Sequence, residues 1–362
     1  MEPKSTVESC GATRVQVVAG AGIAAFSLAP GERLSRQLGR LGMVETAQDA
    51  DLILTDACLY GNSVLTALAE ARSGTVLMDN HRLVAGVKLP SDARIGEPAP
   101  ASAMTGATLA GRYDKKLRKR TDPMVMRPAY AAEGEQALFD ASYKGVTDFV
   151  TKHVWPAPAL VVTRWCAARG ITPNQVTWAS FILVLVTFWL FWIGAFGPGL
   201  VAAYAMTFLD TVDGKLARVT LTSSKFGDWL DHGIDLIHPP FWWWAWVVGC
   251  AAVGMPLADG GLALGAILAG YILQRAEEGL FIARFGIEMH IWRPFDSFFR
   301  KITARRNPNM VILTLATLAG APREGLIAVA IWTVICLVVH LVRIGQAFGA
   351  ARRGPLTSWL AE

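Results

Sequence analysis

Paired cysteines are absent from this sequence. The five it has, Cys10, Cys58, Cys166, Cys250 and Cys336, are scattered, with no CxxC and no Cys/His spacing. Such an odd, dispersed set excludes a disulfide framework and a structural zinc. Charge is thin as well: 17% of the 362 residues are Asp, Glu, Lys or Arg, against 53% hydrophobic. A mean hydropathy of +0.36 is higher than ordinary soluble chains show, so part of the chain belongs in lipid. The first residues, "MEPKSTVESCG", lack the basic start of a secretory leader. The apolar stretch behind them, "VQVVAGAGIAAFSLA", therefore reads as a buried strand followed by a glycine turn.

Apolar residues are unevenly distributed, and this divides the chain. Residues 1–140 have a mixed, soluble composition and are expected to form a cytoplasmic domain. There, short apolar runs ("RVQVVAG", "DLILTD", "TVLMDN") alternate with helix-like stretches ("GERLSRQLGRLG", "GNSVLTALAEARS"). That rhythm predicts an α/β fold with a parallel sheet. Residues 141–175 read as an amphipathic segment lying on a membrane face. Residues 176–349 alternate long apolar stretches with short polar breaks, and 350–362 form a tail. A membrane-spanning helix needs roughly 20 mostly apolar residues, which predicts an all-α transmembrane domain of six helices. The candidates run over about 176–196, 200–220, 227–254, 260–282, 310–320 with flanks, and 326–348.

Lysine and arginine crowd the breaks on one side of these spans, and the opposite breaks ("GPG", "GMPLADGG", "APREG") hold a single arginine. The positive-inside tendency then puts both termini and the loop after the second span in the cytoplasm, across an inner or cytoplasmic membrane. The net charge of +5 gathers in runs such as "DKKLRKR" and "RKITARR" beside apolar segments. These suit anionic headgroups or phosphorylated substrates better than nucleic acid.

One stretch contradicts its surroundings. "DTVDGKLARV", Asp210 to Val219, puts two acids, a lysine and an arginine at the end of an apolar span. Residues three or four apart share a helix face, so Asp210 pairs with Asp213 on the second span, and Asp231 with Asp235 on the third. A short polar break, "TLTSSK", makes the two spans antiparallel neighbours, so the four carboxylates converge. Left alone they would repel and suffer desolvation. Oxygen-only donors suit hard divalent cations such as Mg or Mn, and a two-metal centre is expected. Gly214, Ala217 and Gly227 leave room beside the carboxylates for a bulky ligand, and Arg218 offers planar donors to phosphate oxygens.

Taken together, Asp210-x2-Asp213-Gly214-x2-Ala217-Arg218-x8-Gly227-x3-Asp231-x3-Asp235 resembles the complete signature of the CDP-alcohol phosphotransferases, with every fixed residue and spacing kept. The resemblance covers about Lys144 to Gly349. It implies a membrane enzyme in which an acceptor hydroxyl attacks the phosphorus bearing the alcohol of a CDP-alcohol and CMP leaves. It further implies Asp210, Asp213 and Asp231 as metal ligands, with Asp235 holding the second metal or taking the acceptor's proton. Gly214, Ala217, Arg218 and Gly227 become nucleotide-facing, joined by Asn174 and Thr177 at the start of the first span. A homodimer is compatible with the family. Donor alcohol, diacylglycerol or a polyol, and acceptor stay open.

For the acceptor, Arg305 and Arg306 at the head of the fifth span, with Lys144, Arg284 or Arg293, form a candidate phosphate clamp. Arg275, beside Glu277 and Glu278, is expected to be deeply placed. "HPPFWWWAW" is expected to kink the third span and pack rings. The N-terminal region resembles a sugar-nucleotidyltransferase, fused as in the bifunctional inositol-phosphate cytidylyltransferase and di-inositol-phosphate-phosphate synthases. "SLAPGERLSRQLG" keeps Gly31, Arg33 and Leu34 of their glycine-rich loop but lacks its second glycine and its lysine. "MDNH", Met78 to His81, reads as a remnant of their metal-binding segment, so this domain is expected to be inactive. Intramembrane carboxylates also line cation transporters. The first, fifth and sixth spans lack the acids a continuous ion path needs, which weighs against that alternative.

Overall fold

The structure, a computed structural model, describes residues 12–362; Cys10 lies outside them. The chain forms two compact units. One takes the residues up to Asp114, Thr121–Ala141 and Val219–Leu221, and the other takes Lys115–Arg120, Ser142–Arg218 and Thr222–Glu362.

In the first unit the strands include β1 (Arg14–Val18), β2 (Val44–Glu45), β3 (Leu52–Thr55), β4 (Leu59–Tyr60), β5 (Val76–Met78) and β6 (Val84–Lys88). Its helices are α1 (Pro30–Arg40), α2 (Asn62–Glu70), α3 (Gly106–Leu109) and α4 (Ala131–Ala141). The main sheet has the order β2-β1-β3-β6-β5. β1 runs parallel to β2 and β3, whereas β6 is antiparallel to both its neighbours. The sheet is therefore mixed, not parallel as the sequence rhythm predicts. The cause is the turn joining β5 to β6, since strands linked by so few residues must run antiparallel. Asp79 builds that turn, one carboxylate oxygen accepting the amides of His81 and Leu83 at 2.9 Å each. Arg82 there has a φ of +60° without being glycine. The sheet buries Val15, Leu52, Leu54 and Leu77 against Leu34, Leu38 and Leu65 of the helices.

"MDNH" is thus a structural corner. The second oxygen of Asp79 accepts from Arg127 Nε at 2.7 Å, and Asn80 Oδ1 accepts the Arg127 amide at 2.8 Å. The glycine loop after β1 also packs on its own chain. Gly20 donates to Asp56 Oδ1 at 2.6 Å, and a Cβ on Gly22 would lie 2.7 Å from the Asp56 carbonyl oxygen.

The second unit is helical. A π-helical turn, Val150–Val154, leads into α5 (Pro156–Ala168), whose approach and outer face expose Phe149, Val154, Val161 and Trp165. Then follow α6 (Pro173–Trp192), α7 (Phe196–Val219), α8 (Lys225–Ala252) and α9 (Gly260–Phe285). A short α10 (Pro294–Phe299) precedes α11 (Arg306–Leu318) and α12 (Pro322–Ala351). α6 starts on a capping box, in which Thr172 and Gln175 satisfy each other's amides with Pro173 in the first turn. Ser224 caps α8 by accepting the Gly227 amide at 3.0 Å. α8 runs through Pro239 and Pro240 without a break, and its Trp242, Trp243 and Trp246 are fully buried core rings. They share one core with Phe191 of α6, Leu200 of α7, Met310 of α11 and Leu326 of α12.

Six long helices occupy the six expected places. Two of them, α6 and α12, are long and apolar enough to cross a membrane by length and composition. α7, α8 and α9 carry charged residues, and α11 has 13 residues. Along α6, Trp178, Ile182, Leu185 and Trp189 form an exposed apolar stripe, and Ile331, Val334, Val338 and Leu341 do the same on α12. In water such stripes would be exposed hydrophobic patches; in a bilayer they face their natural solvent.

Candidate active site

The break Thr220–Ser224 returns α8 beside the end of α7, and the aspartates gather there. Asp210, Asp231 and Asp235 each offer an oxygen within 4.8 Å of the other two. Asp213, one helical turn along α7, is 3% exposed. Its Oδ2 accepts the Thr177 hydroxyl at 2.6 Å, while its Oδ1 is buried with no partner among the described residues. A buried carboxylate oxygen lacking a donor is a costly arrangement unless something fills it. Oxygen donors at this density fit hard divalent ions.

A guanidinium meets the same cluster. Arg306, the first residue of α11, reaches Asp210 Oδ2 with Nη2 at 2.7 Å and Asp235 Oδ1 with Nη1 at 2.5 Å. His238, one turn beyond Asp235, lies 3.5 Å from Arg306 Nη1 through Nε2, while its Nδ1 meets the Ile234 carbonyl at 2.7 Å. Sequence reasoning missed His238, because "HPP" reads as a helix disturbance and not as a polar contact.

The other expected residues divide. A Cβ on Gly214 would meet Arg218 Nη2 at 3.1 Å, so the arginine lies over the glycine surface. A Cβ on Gly227 would stand 2.8 Å from Asn174 Oδ1, so that glycine lets the start of α8 close on α6. Thr177 is engaged with Asp213, where the sequence expectation aimed it at the nucleotide. Ala217 is half-buried on the same helix end. Arg305 pairs with Glu278, which also receives His290 Nε2 at 3.0 Å. Burial drives His290 down to about 3, against the pull of Glu278.

Arg275 is not deeply placed. It is exposed, with its guanidinium 4.4 Å over the Tyr271 ring. The residues of that turn facing inward are Gln274 and Glu277, and one helical step of 100° separates Arg275 from Gln274. Lys144 is exposed, in the segment that leads from α4 towards α5. Beside the aspartates, α6 and α8 bound a groove of about 470 Å³ lined by Leu185, Phe188, Trp229, Ile234, His238 and Phe241 among others, nearly all of it apolar.

Residues 170–340 match the CDP-alcohol phosphatidyltransferase family. An archaetidylinositol phosphate synthase from Pyrococcus horikoshii is 30% identical over 183 residues, which is 48% of this chain and 82% of that one. A bifunctional IPC transferase and DIPP synthase from Aquifex aeolicus is 27% identical over 114 residues, 31% of this chain and 26% of its own length. Among solved structures, phosphatidylinositol phosphate synthase from Mycobacterium tuberculosis with CDP-DAG bound is 19% identical, with a TM-score of 0.41 over 51% of this chain and 92% of that one. With a relative 30% identical and matched over 82% of its length, the chain belongs to the CDP-alcohol phosphatidyltransferase family and is a CDP-alcohol phosphotransferase.

Proposed function

We propose that Asp210, Asp213, Asp231 and Asp235 hold two divalent ions, Mg or Mn, and that transfer runs from a lipid CDP-alcohol to a phosphorylated polyol. One observation carries the reading: three carboxylates within 4.8 Å of one another beside the unpartnered Oδ1 of Asp213. Bound there, the ions would neutralise the diphosphate and the charge that develops in transfer.

The protein's own residues supply the rest. Gly214, Ala217, Arg218 and Gly227 form the nucleotide surface, and Asn174 borders it. The apolar α6/α8 groove receives the donor's hydrocarbon, which favours a lipid donor over a soluble CDP-polyol. The acceptor hydroxyl attacks the phosphorus carrying the donor alcohol. The bond from that phosphorus to the CMP oxygen breaks, and CMP departs with the electron pair. Asp235, 40% exposed at its side chain where Asp210 is 19% exposed, takes the hydroxyl proton. The name of the archaetidylinositol phosphate synthase relative supports an inositol monophosphate as the acceptor.

The remaining finer readings belong to the same proposal. Six spans carry the site at the cytoplasmic face of the inner membrane with both termini inside, supported by the arginine and lysine distribution. The N-terminal unit is catalytically silent, supported by the engagement of Asp79 with Arg127. The test is CMP release from CDP-diacylglycerol and inositol monophosphate in membranes containing Mg or Mn. Activity is expected, and is expected to vanish with EDTA or in Asp231→Asn; full activity in either case overturns the assignment. Formation of CDP-inositol from CTP by the full chain would overturn the silent N-terminal unit.

A further inference from the structure

The basic run "DKKLRKR" has no role in the site as described so far. Its residues Lys115–Arg120 pack with the helical unit, although the chain on either side, up to Asp114 and from Thr121, belongs to the other unit. Three observations show that this strap is built into place. The Gly145 amide donates to the Leu117 carbonyl at 2.8 Å. A Cβ on Gly145 would lie 2.5 Å from both the Arg118 carbonyl oxygen and Lys119 Cβ, so only glycine allows the approach. Arg118 itself is held at a φ of +52°, a conformation that costs a non-glycine residue energy.

The strap brings cations to cations. Arg118 Nη2 meets Glu288 Oε2 at 2.6 Å, but its Nε is buried with no partner among the described residues. Nε and Nη1 of Arg300 are likewise buried and unpartnered among the described residues. Lys144, next to Gly145 and exposed, is held below the usual lysine range, first by desolvation of its ammonium and then by Arg118, Arg218 and Arg300, with Glu288 opposing. Burial and Arg305 lower Arg300 to about 9, against Asp148; Asp148 itself accepts Asn307 Nδ2 at 2.9 Å. Lys215, whose ammonium sits 3.3 Å over the Tyr143 ring, lies within electrostatic reach of Lys119, Lys144 and Arg218. Buried guanidinium donors without acceptors, in a set this rich in cations, are complementary to a dianion such as a phosphate monoester.

We propose that the strap completes the acceptor subsite, with Arg118, Lys144 and Arg300 binding the phosphate monoester of the acceptor. This rests on the phosphorylated-acceptor reading above. Part of the chain ahead of the helical domain thereby becomes a specificity element of the membrane enzyme.

The test uses full-length enzyme in detergent or membranes, with CMP release measured against inositol monophosphate, free inositol and CDP-diacylglycerol, and with inorganic phosphate as a competing probe. Arg118→Ala is expected to raise KM for inositol monophosphate about 10- to 100-fold, the range for a lost charge-assisted hydrogen bond. It is also expected to weaken inhibition by inorganic phosphate to a similar degree and to leave KM for the lipid donor within about threefold. Arg118→Lys should recover part of the loss. Glu288→Gln, which removes the arginine's partner and keeps the cation, should not weaken phosphate binding.

An unchanged KM in Arg118→Ala, or an equal loss in Glu288→Gln, would reduce Arg118 to a clasp and overturn the proposal. A shift in donor KM alone would overturn it too, since the phosphate concerned would be the donor's. No CMP release from wild-type enzyme would defeat the transferase reading instead. Equal use of free inositol would defeat the phosphorylated acceptor.

Discussion

Asp79 and Asp213 are both buried aspartates that sit at the expected acidic motif of their unit, and they are used in opposite ways. The Asp79 carboxylate accepts two backbone amides and an arginine, with the Cys58 thiol at 3.6 Å. Asp213 has the Thr177 hydroxyl on one oxygen and, among the described residues, no hydrogen-bond partner on the other. The difference is one of internal satisfaction: folding supplies donors to both oxygens of the first acid and to one oxygen of the second, which under the proposed function is where a ligand enters. The N-terminal unit has converted its acid into a corner of its sheet. The helical unit pairs Asp210 and Asp235 with Arg306 and satisfies Asp213 on one oxygen.

That contrast can be broken most sharply at the aspartates themselves. Asp213→Asn or Asp231→Asn is expected to cut CMP release by about three orders of magnitude, as loss of a metal ligand at a phosphotransfer centre does. The thermal midpoint should stay the same or rise, because a repelling buried charge is gone. A folded variant with activity within tenfold of wild type would make Asp213 as structural as Asp79.

The reverse outcome is expected at Asp79. Asp79→Ala leaves Arg127 without its partner and should destabilise the first unit by about 2–3 kcal/mol, read from chemical unfolding followed in that unit. CMP release per folded molecule should be unchanged. Burial raises the Asp79 carboxyl, but hydrogen bonds from Arg127, Leu83 and His81 outweigh it and hold the group below the usual range. Because the folded value is depressed, the stabilisation is present above the unfolded pKa of about 3.9 and is lost as pH falls through the lower folded value. Wild-type stability of this unit should therefore drop below about pH 4, and the Asp79→Ala profile should be flatter there. A parallel pair of profiles would contradict this.

Arg306 sharpens the comparison, since its contacts with Asp210 and Asp235 resemble the Arg127 pair with Asp79. If the aspartates await metal, Arg306→Gln should tighten Mn binding by about tenfold in titration calorimetry, as a competing charge has been removed. If the pair is a structural lock, the variant will lose stability with no gain in metal affinity. The smallest effect is expected at Thr177→Val, which frees Asp213 Oδ2 and should lower kcat about five- to tenfold with little change in KM for donor or acceptor.

How much of this was legible in the sequence follows from the same physics. Charges inside "DTVDGKLARV" are too costly in an apolar run to be incidental, so the candidate site could be picked out, and the helical period anticipated the gathering of Asp210, Asp231 and Asp235. The six helices could be placed from apolar runs, but the charges on α7, α8 and α9 that build the site also weaken their reading as spans. The β5–β6 hairpin was hidden because its turn uses Asp79 and a left-handed Arg82 in place of glycine. Arg275 was misplaced because the phase of α9 depends on its packing against α12, which no local pattern carries. The strap around Arg118 gave a composition signal only. Its position depends on Gly145, 27 residues on, and on unpartnered donors visible only once the chain is folded.

The most direct test of the metal centre is the stoichiometry of Mn binding by purified full-length protein, counted by electron paramagnetic resonance. Two ions per chain are expected for the wild type, with at most one retained in Asp213→Asn or Asp231→Asn. Absence of bound Mn in the wild type, or two ions retained in both variants, would contradict a two-metal site on these aspartates.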